Sequence, residues 1–242
     1  MRKKHLVNVF LFSVFLYSQL LFSADAGKVA ESIKWYGQAG VSMTLEGKKI
    51  VIDPLHISKV EYADVVLITH SHDDHLSPAD MKKVVGPDTI IVTAKEAEVA
   101  IKKHFNNKII SLLPGQKFNI GKIEIKAVAA YNIRKVKFHP AEKKWLGFII
   151  TADGIKIYHT GDTEYIPEMK AIDADIIILP LGQTYTFDSV DEAVKTAIET
   201  KSEIAIPVHY GEYEGTLEDA KQFADKLSGK INVILKDKEN ER

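Results

Sequence analysis

The stretch that most constrains this chain is Thr69-His70-Ser71-His72-Asp73-Asp74-His75, which packs His70, His72, Asp74 and His75 into six consecutive residues. It follows the apolar run Val65-Val66-Leu67-Ile68, which reads as a buried strand. Beyond it, Ser77 supplies a helix cap, Pro78 suits the first helical position and Asp80 places a carboxylate in the first turn. The three imidazoles and the carboxylate therefore lie on a loop leaving the carboxyl end of a strand, where α/β proteins tend to place chemistry. Such groups are costly to bury unless something pairs them. A divalent cation does so directly, because neutral imidazole and carboxylate are its preferred nitrogen and oxygen donors. The competing reading is a solvated loop that happens to be rich in histidine, and H-x-H-x-D-H directly after a strand argues against it.

The rest of the chain bounds what that loop can serve. At 242 residues it has ample material for one well-filled domain. A net charge of -1 supplies no field that would draw a nucleic acid or an acidic polymer. There is no cysteine, so thiolate ligands, a cysteine nucleophile and a lipid-anchored cysteine are all excluded. Residues 1–26 stand apart. Arg2-Lys3-Lys4 precedes an apolar segment from Leu6 to Phe22, and Ala24-Asp25-Ala26 has the small-x-small spacing of a cleavage site. The expectation is a cleaved signal peptide over 1–26 and a single domain over 27–242, exported to the periplasm or the extracellular space. An uncleaved anchor is the alternative, but the run is short and broken by polar residues.

Along the chain, hairpins precede strand–helix alternation in each half. Strands are expected at Ile33–Tyr36, Val41–Leu45 and Lys49–Ile52, the last stopped by Asp53-Pro54. After the histidine loop come a helix from Ser77, a strand at Thr89–Val92, a helix near 96–103 and a strand at Lys108–Leu112. The segments 117–120 and 122–130 alternate as a second hairpin, and 145–150 with 156–158 as a third, ending in His159-Thr160-Gly161-Asp162-Thr163. Buried strands at Ile176–Leu179 and Ile204–Ile206 follow, each closed by a proline, with a helix from a capping box at Ser189 between them. His209 sits at the end of the second. A helix capped at Thr216, a strand at Ile231–Leu235 and a charged tail expected to fray from Lys236 complete the chain. The polar groups recur at strand ends, and the layout reads as two sheets face to face with helices outside. Asp53 has two readings of equal standing, as a group orienting a metal-bound histidine or as ordinary turn chemistry.

The H-x-H-x-D-H loop, the later Gly161-Asp162-Thr163 and the strand-end His209 together resemble the metallo-β-lactamase-fold hydrolase superfamily. Asp53-Pro54, Ala130-Tyr131-Asn132, His139-Pro140, Leu179-Pro180-Leu181-Gly182 and Ile206-Pro207-Val208-His209-Tyr210 are similar to the branch containing ascorbate-6-phosphate lactonase and N-acylphosphatidylethanolamine phospholipase D. The resemblance spans roughly residues 33–236. It implies an α/β fold, a four-layer αβ/βα sandwich, with two divalent metal ions on one edge. His70 and His72 would hold one ion, Asp74, His75 and His209 the other, and Asp162 would bridge them. Zinc is the default ion, and manganese or iron would also suit a bridging carboxylate. A hydroxide between the ions would be the nucleophile, and Asp74 or Asp162 would pass a proton to the leaving group.

One departure is plain. The superfamily usually supplies a third histidine to the first ion, where this chain has Ala130-Tyr131-Asn132 and no histidine until His139. Either Asn132 is an oxygen ligand, or His139 folds back as a ligand or substrate contact, or the first ion is loosely held. His56 would either reach the site mouth or sit in an ordinary loop, His104 reads as a helix-end cap, and His159 reads as a support behind the ligands or a packing residue rather than a ligand. Tyr131, Tyr185 and Tyr210 flank site positions, where they would contact substrate or be buried with paired hydroxyls. The basic loop Arg134–Lys144 would either favour an anionic substrate or be a solvated charge run. Two functions follow: a hydrolase of a small ester, lactone or phosphodiester, or a metal-binding protein of the same fold with little turnover. The expected partner is a small molecule, with no nucleic acid and no membrane span once the leader is removed. Composition does not specify the oligomeric state.

Overall fold

The computed structural model describes residues 25–239. The expected leader lies outside the described residues except for Asp25 and Ala26, which belong to helix α1 (described over 25–32), where Ala26 and Ala30 are buried. Among the described residues no helix is long and apolar enough to cross a membrane.

The first sheet contains β1 (Lys34–Gly37), β2 (Gly40–Leu45), β3 (Lys48–Ile52), β4 (Ala63–Ile68), β5 (Val85–Ala94) and β6 (Ile109–Leu112), in that spatial order. Its first three strands are antiparallel and β3 to β6 run parallel. The crossovers carry α2 (Pro78–Val84) and α3 (Glu98–Lys102). The second sheet contains β7 (Lys117–Ile120), β8 (Ile123–Ala129), β9 (Leu146–Ala152), β10 (Ile155–His159), β11 (Ile176–Pro180), β12 (Ile204–Val208) and β13 (Asn232–Val233). It repeats the plan: β7 to β10 are antiparallel, and β10 to β13 parallel. Helices α4 (Val190–Glu199) and α5 (Leu217–Leu227) cover it. Two sheets with helices on their outer faces are the expected four-layer αβ/βα sandwich.

The period of the strand explains the layers. In β4, Val65 and Leu67 enter the core between the sheets, while Val66 and Ile68 enter a second cluster with Met81 and Val84 of α2 and Ile101 of α3. A strand buried on both faces must be apolar throughout, which is why 65–68 reads as an unbroken run. Helix starts also follow local chemistry. The Ser77 hydroxyl accepts from the Asp80 N–H, and Thr216 with Asp219 forms a reciprocal capping box. At Ser189 the box is only half made. Its hydroxyl accepts from the Glu192 N–H, but the Glu192 carboxylate turns to the Asp188 N–H and to Arg134. The tail does not fray at Lys236 as expected, because Lys238 bridges Trp35 and its Nζ donates to Glu212 at 2.6 Å.

All five parallel-strand ends that matter point to one edge. Asp53 follows β3, His70 to His75 follow β4, Asp162 lies beyond β10, Gly182 to Thr186 follow β11 and His209 follows β12. Two backbone hydrogen bonds join the sheets there: Leu146 N–H to the Thr69 carbonyl at 3.1 Å, and His209 N–H to the Gln38 carbonyl at 2.9 Å.

Candidate metal centre

His70, buried at the end of β4, is oriented by its neighbour. The Thr69 hydroxyl donates to Asp53 Oδ2 at 2.6 Å, so toward His70 Nδ1, 2.9 Å away, it accepts. Asp53 also takes the Thr69 N–H at 2.8 Å and His75 Nδ1–H at 2.8 Å. Both His70 and His75 therefore carry a proton on Nδ1 and aim Nε2 into the site, the arrangement that outer partners impose on metal-binding imidazoles. Asp53 thus lies directly behind His75, where it would orient that imidazole.

His72 Nδ1 lies 3.0 Å from His70 Nε2. The third member of this group is His139. Its Nε2 faces inward, and ligand atoms of His70, His72 and His139 all fall within 4.8 Å of one another. Asn132 produces that placement. Its N–H donates to the His139 carbonyl at 2.7 Å, and its Nδ2 donates to the carbonyls of Tyr185 at 2.7 Å and Lys135 at 3.2 Å. His139 Nδ1–H in turn donates to the Tyr185 carbonyl at 3.1 Å. Asn132 thus ties down the loop that folds His139 back.

The second group is Asp74, His75 and His209, with Asp74 Oδ2 3.6 Å from both His75 Nε2 and His209 Nε2. Asp162 stands between the groups. Its Oδ2 is 3.3 Å from His75 Nε2, 3.3 Å from His209 Nε2 and 3.4 Å from His139 Nε2. Gly161 makes that reach feasible. It adopts φ +65, and a Cβ there would lie 2.5 Å from the Leu146 carbonyl oxygen.

Charge is balanced by protons in the metal-free chain. Burial pulls the His75 imidazole toward neutrality, but Asp162 and Asp53 outweigh it and push its pKa up to about 10. His209 is likewise held well above the ordinary value, against burial, by Asp162, Asp74 and Glu214. Burial and the neighbouring His75 hold His70 well below the usual value, and burial with His139 lowers His72. Asp162, despite burial, is kept far below the usual carboxylate range by His209 and His75, and Asp74 is lowered by His209 and His75. The donor set fits divalent cations in a further respect: His75 Nε2, His139 Nε2 and Asp162 Oδ1 are buried with no hydrogen-bond partner.

Two glutamates not singled out from the sequence organise the walls. Glu164, fully buried, accepts the N–H groups of Ile133, Arg134 and Lys135 at 2.8, 2.7 and 3.1 Å. Glu214 accepts those of Thr184, Tyr185 and Thr186 and lies 3.0 Å from His209 Nδ1. Burial opposes ionisation of Glu214, yet His209 and the loop N–H groups keep its pKa low. Nothing in the local sequence marks either residue, since each acts on a loop about 30 residues away in the chain. Gln38, also missed, places Nε2 3.2 Å from Asp74 Oδ2.

Two cations of the basic loop, Arg134 and Lys135, are engaged in docking it, while Lys137 lies over the ring of Phe138. Lys135 Nζ donates to the carbonyls of Thr186 and Phe187, and Arg134 pairs with Glu192 and Asp188. His159 is fully engaged, its Nε2 with the Ala39 carbonyl and its Nδ1 with the Gly161 N–H. His56 meets Glu212 at 3.2 Å, and His104 follows α3 beside Phe105. Tyr131 bonds Glu168, Tyr210 stacks near Trp35, and of the three tyrosines Tyr185 lines the cavity above the site. That cavity, of about 600 Å³, is walled by Leu55, Phe138, Tyr185 and Tyr213 and floored by His72, Asp74, His139, Asp162 and His209.

Residues 32–209 match the family model of the beta-lactamase superfamily domain. A UPF0173 metal-dependent hydrolase of Thermoplasma acidophilum is 33% identical over 218 residues, 84% of this chain and 93% of its own length. A UPF0173 protein of Pyrococcus abyssi is 30% identical over 217 residues, 85% of this chain and 95% of that one. A solved structure from Parabacteroides distasonis, of a provisionally assigned metal-dependent hydrolase, is 32% identical and matches 84% of this chain and 91% of its own with a TM-score of 0.73. The matched region begins before β1 and ends on His209, so it takes in every side chain of the two histidine groups and Asp162. The chain belongs to the beta-lactamase superfamily, in the two-sheet metallo-β-lactamase fold.

Proposed function

We propose that this protein is a dinuclear metal-dependent hydrolase acting on a small ester, lactone or phosphodiester. The observation that carries the reading is the single oxygen Asp162 Oδ2, 3.3–3.4 Å from imidazole nitrogens of both histidine groups. His70, His72 and His139 would hold one ion, zinc being the default, and Asp74, His75 and His209 the other, with Asp162 shared. When bound, such ions bring the pKa of water near neutrality and polarise a carbonyl or phosphoryl oxygen. The protein's own part is positional and protonic. Asp53 and Thr69 fix the imidazole tautomers, and the Asn132–Tyr185–His139 hydrogen bonds hold the cavity wall. Asp74, 22% exposed and facing the cavity, is placed to take the proton of the attacking water and pass it to the leaving group.

The cavity walls are largely apolar and aromatic, and Arg134 and Lys135 are spent on loop docking. Selection of substrate therefore rests on shape and on the ions rather than on Arg134 and Lys135. The likeness to the ascorbate-6-phosphate lactonase and phospholipase D branch favours lactones and phosphodiesters within this class. The alternative of a binding protein with little turnover drew on an incomplete first site, and His139 now stands beside His70 and His72. The leader supports action outside the cytoplasm, which a reporter fused after residue 26 would check through export and cleavage. The activity is tested by reconstituting the chain with divalent metal and screening phosphodiesters, lactones and acyl thioesters. Turnover abolished by Asp162→Ala and His75→Ala is the expected result. A folded, metal-loaded protein inert across the panel would overturn the proposal.

A further inference from the structure

Gln38 is built into the centre in a way that packing alone does not account for. It follows β1 in a turn with φ +43 and is fully buried. Its carbonyl accepts from the His209 N–H at 2.9 Å and from Trp35 Nε1 at 2.7 Å, so the main chain is held from both sides. The side-chain Nε2 lies 3.2 Å from Asp74 Oδ2 and 3.2 Å from His209 Nε2, while Oε1 is buried with no hydrogen-bond partner. A buried carbonyl oxygen without a donor is unfavourable. A strained, non-glycine backbone that delivers it is a second departure from what folding alone would select.

Donor atoms bound at about 2.0–2.2 Å to one ion stand roughly 3 Å apart. The end of the Gln38 carboxamide is at that spacing from two groups assigned above to the second ion. As the chain stands, its NH2 faces the lone pairs of the Asp74 carboxylate, as hydrogen bonding requires. A cation that takes those lone pairs would repel the N–H dipoles and attract a carbonyl, and a half-turn of the terminal torsion exchanges the two ends of an amide without moving the chain. We propose that Gln38 is a further ligand of the ion held by Asp74, His75 and His209, through Oε1. This rests on the metal-centre reading of the preceding section. It gives that ion two nitrogens and three oxygens, beyond the four ligands of a closed zinc site and closer to the sets that suit manganese or iron. The ion at His70, His72 and His139 keeps a nitrogen-rich set, so the two positions differ in preference.

The test compares the full chain with Gln38→Met, which keeps the length and removes the oxygen, and Gln38→Glu, which keeps the oxygen and removes the N–H. Each protein is stripped with chelator and titrated with Mn2+, Zn2+ and Co2+ against a chromophoric competitor, with folding followed by circular dichroism. In Gln38→Met the second equivalent of metal should bind about 10–100-fold more weakly, the range typical of losing a supporting group at such a site. Its Co2+ form should also show stronger visible bands, as expected for a lower coordination number. Gln38→Glu should bind at least as tightly as the natural chain. If Gln38 only donates to Asp74, Gln38→Glu sets two carboxylates together and binds worse than Gln38→Met, which overturns the proposal. An unchanged affinity and Co2+ spectrum in Gln38→Met overturns it equally. A natural chain that takes up no metal at all overturns the underlying metal reading as well.

Discussion

At the scale of single residues, the centre is a set of imidazoles whose protons are assigned by their outer neighbours. Asp53 takes the Nδ1 proton of His75 and, through Thr69, sets that of His70. Asp53→Asn replaces an acceptor by a part-donor, so metal affinity should fall by about 10–100-fold while the fold is kept. Isothermal titration with Zn2+ reads this directly. His139→Ala removes one of the three nitrogens of its group, and metal analysis after reconstitution should show the content drop from two ions to one. Retention of both ions would mean that His139 serves the cavity wall alone. Much at this scale is legible in the chain, because His70 to His75, Asp162 and His209 each sit just past an apolar run. Asn132 was less so. A lone amide between Tyr131 and Ile133 gives no sign that its partner is the carbonyl of Tyr185, 53 residues on.

At the scale of elements, the two loops over the cavity are held in the same fashion, each by one buried carboxylate that collects three successive N–H groups. The loops are then joined to each other by Asn132, Lys135 and the edge-on contact of Phe138 with Tyr185. Gly182 is the point where this arrangement has no slack, since a Cβ there would lie 1.8 Å from Glu214 Cδ. Gly182→Ala should therefore displace Glu214, destabilise the protein by about 1–3 kcal/mol as overpacking does, and lower kcat/KM through the loop that carries Tyr185. Thermal melts and kinetics on one preparation would show both, and a neutral result would mean that the loop is free to yield. Strands, caps and hairpins were readable from period and turn residues. The roles of Arg134 and Lys135 were not, because a run of positive charge looks the same in sequence whether it faces a substrate or a neighbouring acidic loop.

At the scale of the whole molecule, ionisation ties the centre to stability. His75 has a folded pKa near 10 against about 6.5 unfolded. A raised histidine contributes stability that is complete below the unfolded value and is lost as pH rises through the folded one. His209 shifts in the same direction. The metal-free chain should thus lose stability between about pH 6.5 and 10. His70 and His72, shifted downward, act in the opposite sense and withdraw stability as pH falls below their ordinary range. Urea midpoints of chelator-treated protein across this window would show the alkaline decline, and a flat profile would refute it. Metal-loaded protein should not share that decline, because bound imidazoles have already released their protons.

The two backbone hydrogen bonds that join the sheets, Leu146 to Thr69 and His209 to Gln38, lie directly beside the ligands. Neither half of the chain owns a complete ligand set: His70 to His75 come from the first sheet, and His139, Asp162 and His209 from the segments of the second. Metal would therefore act as a clasp between two halves of one polypeptide, adding about 2.7 kcal/mol when free ion exceeds its dissociation constant a hundredfold. The Leu146 and His209 amides would be where the clasp registers. Their hydrogen exchange should slow on loading more than that of amides in the middle of either sheet, so the seam itself would report whether the centre is filled.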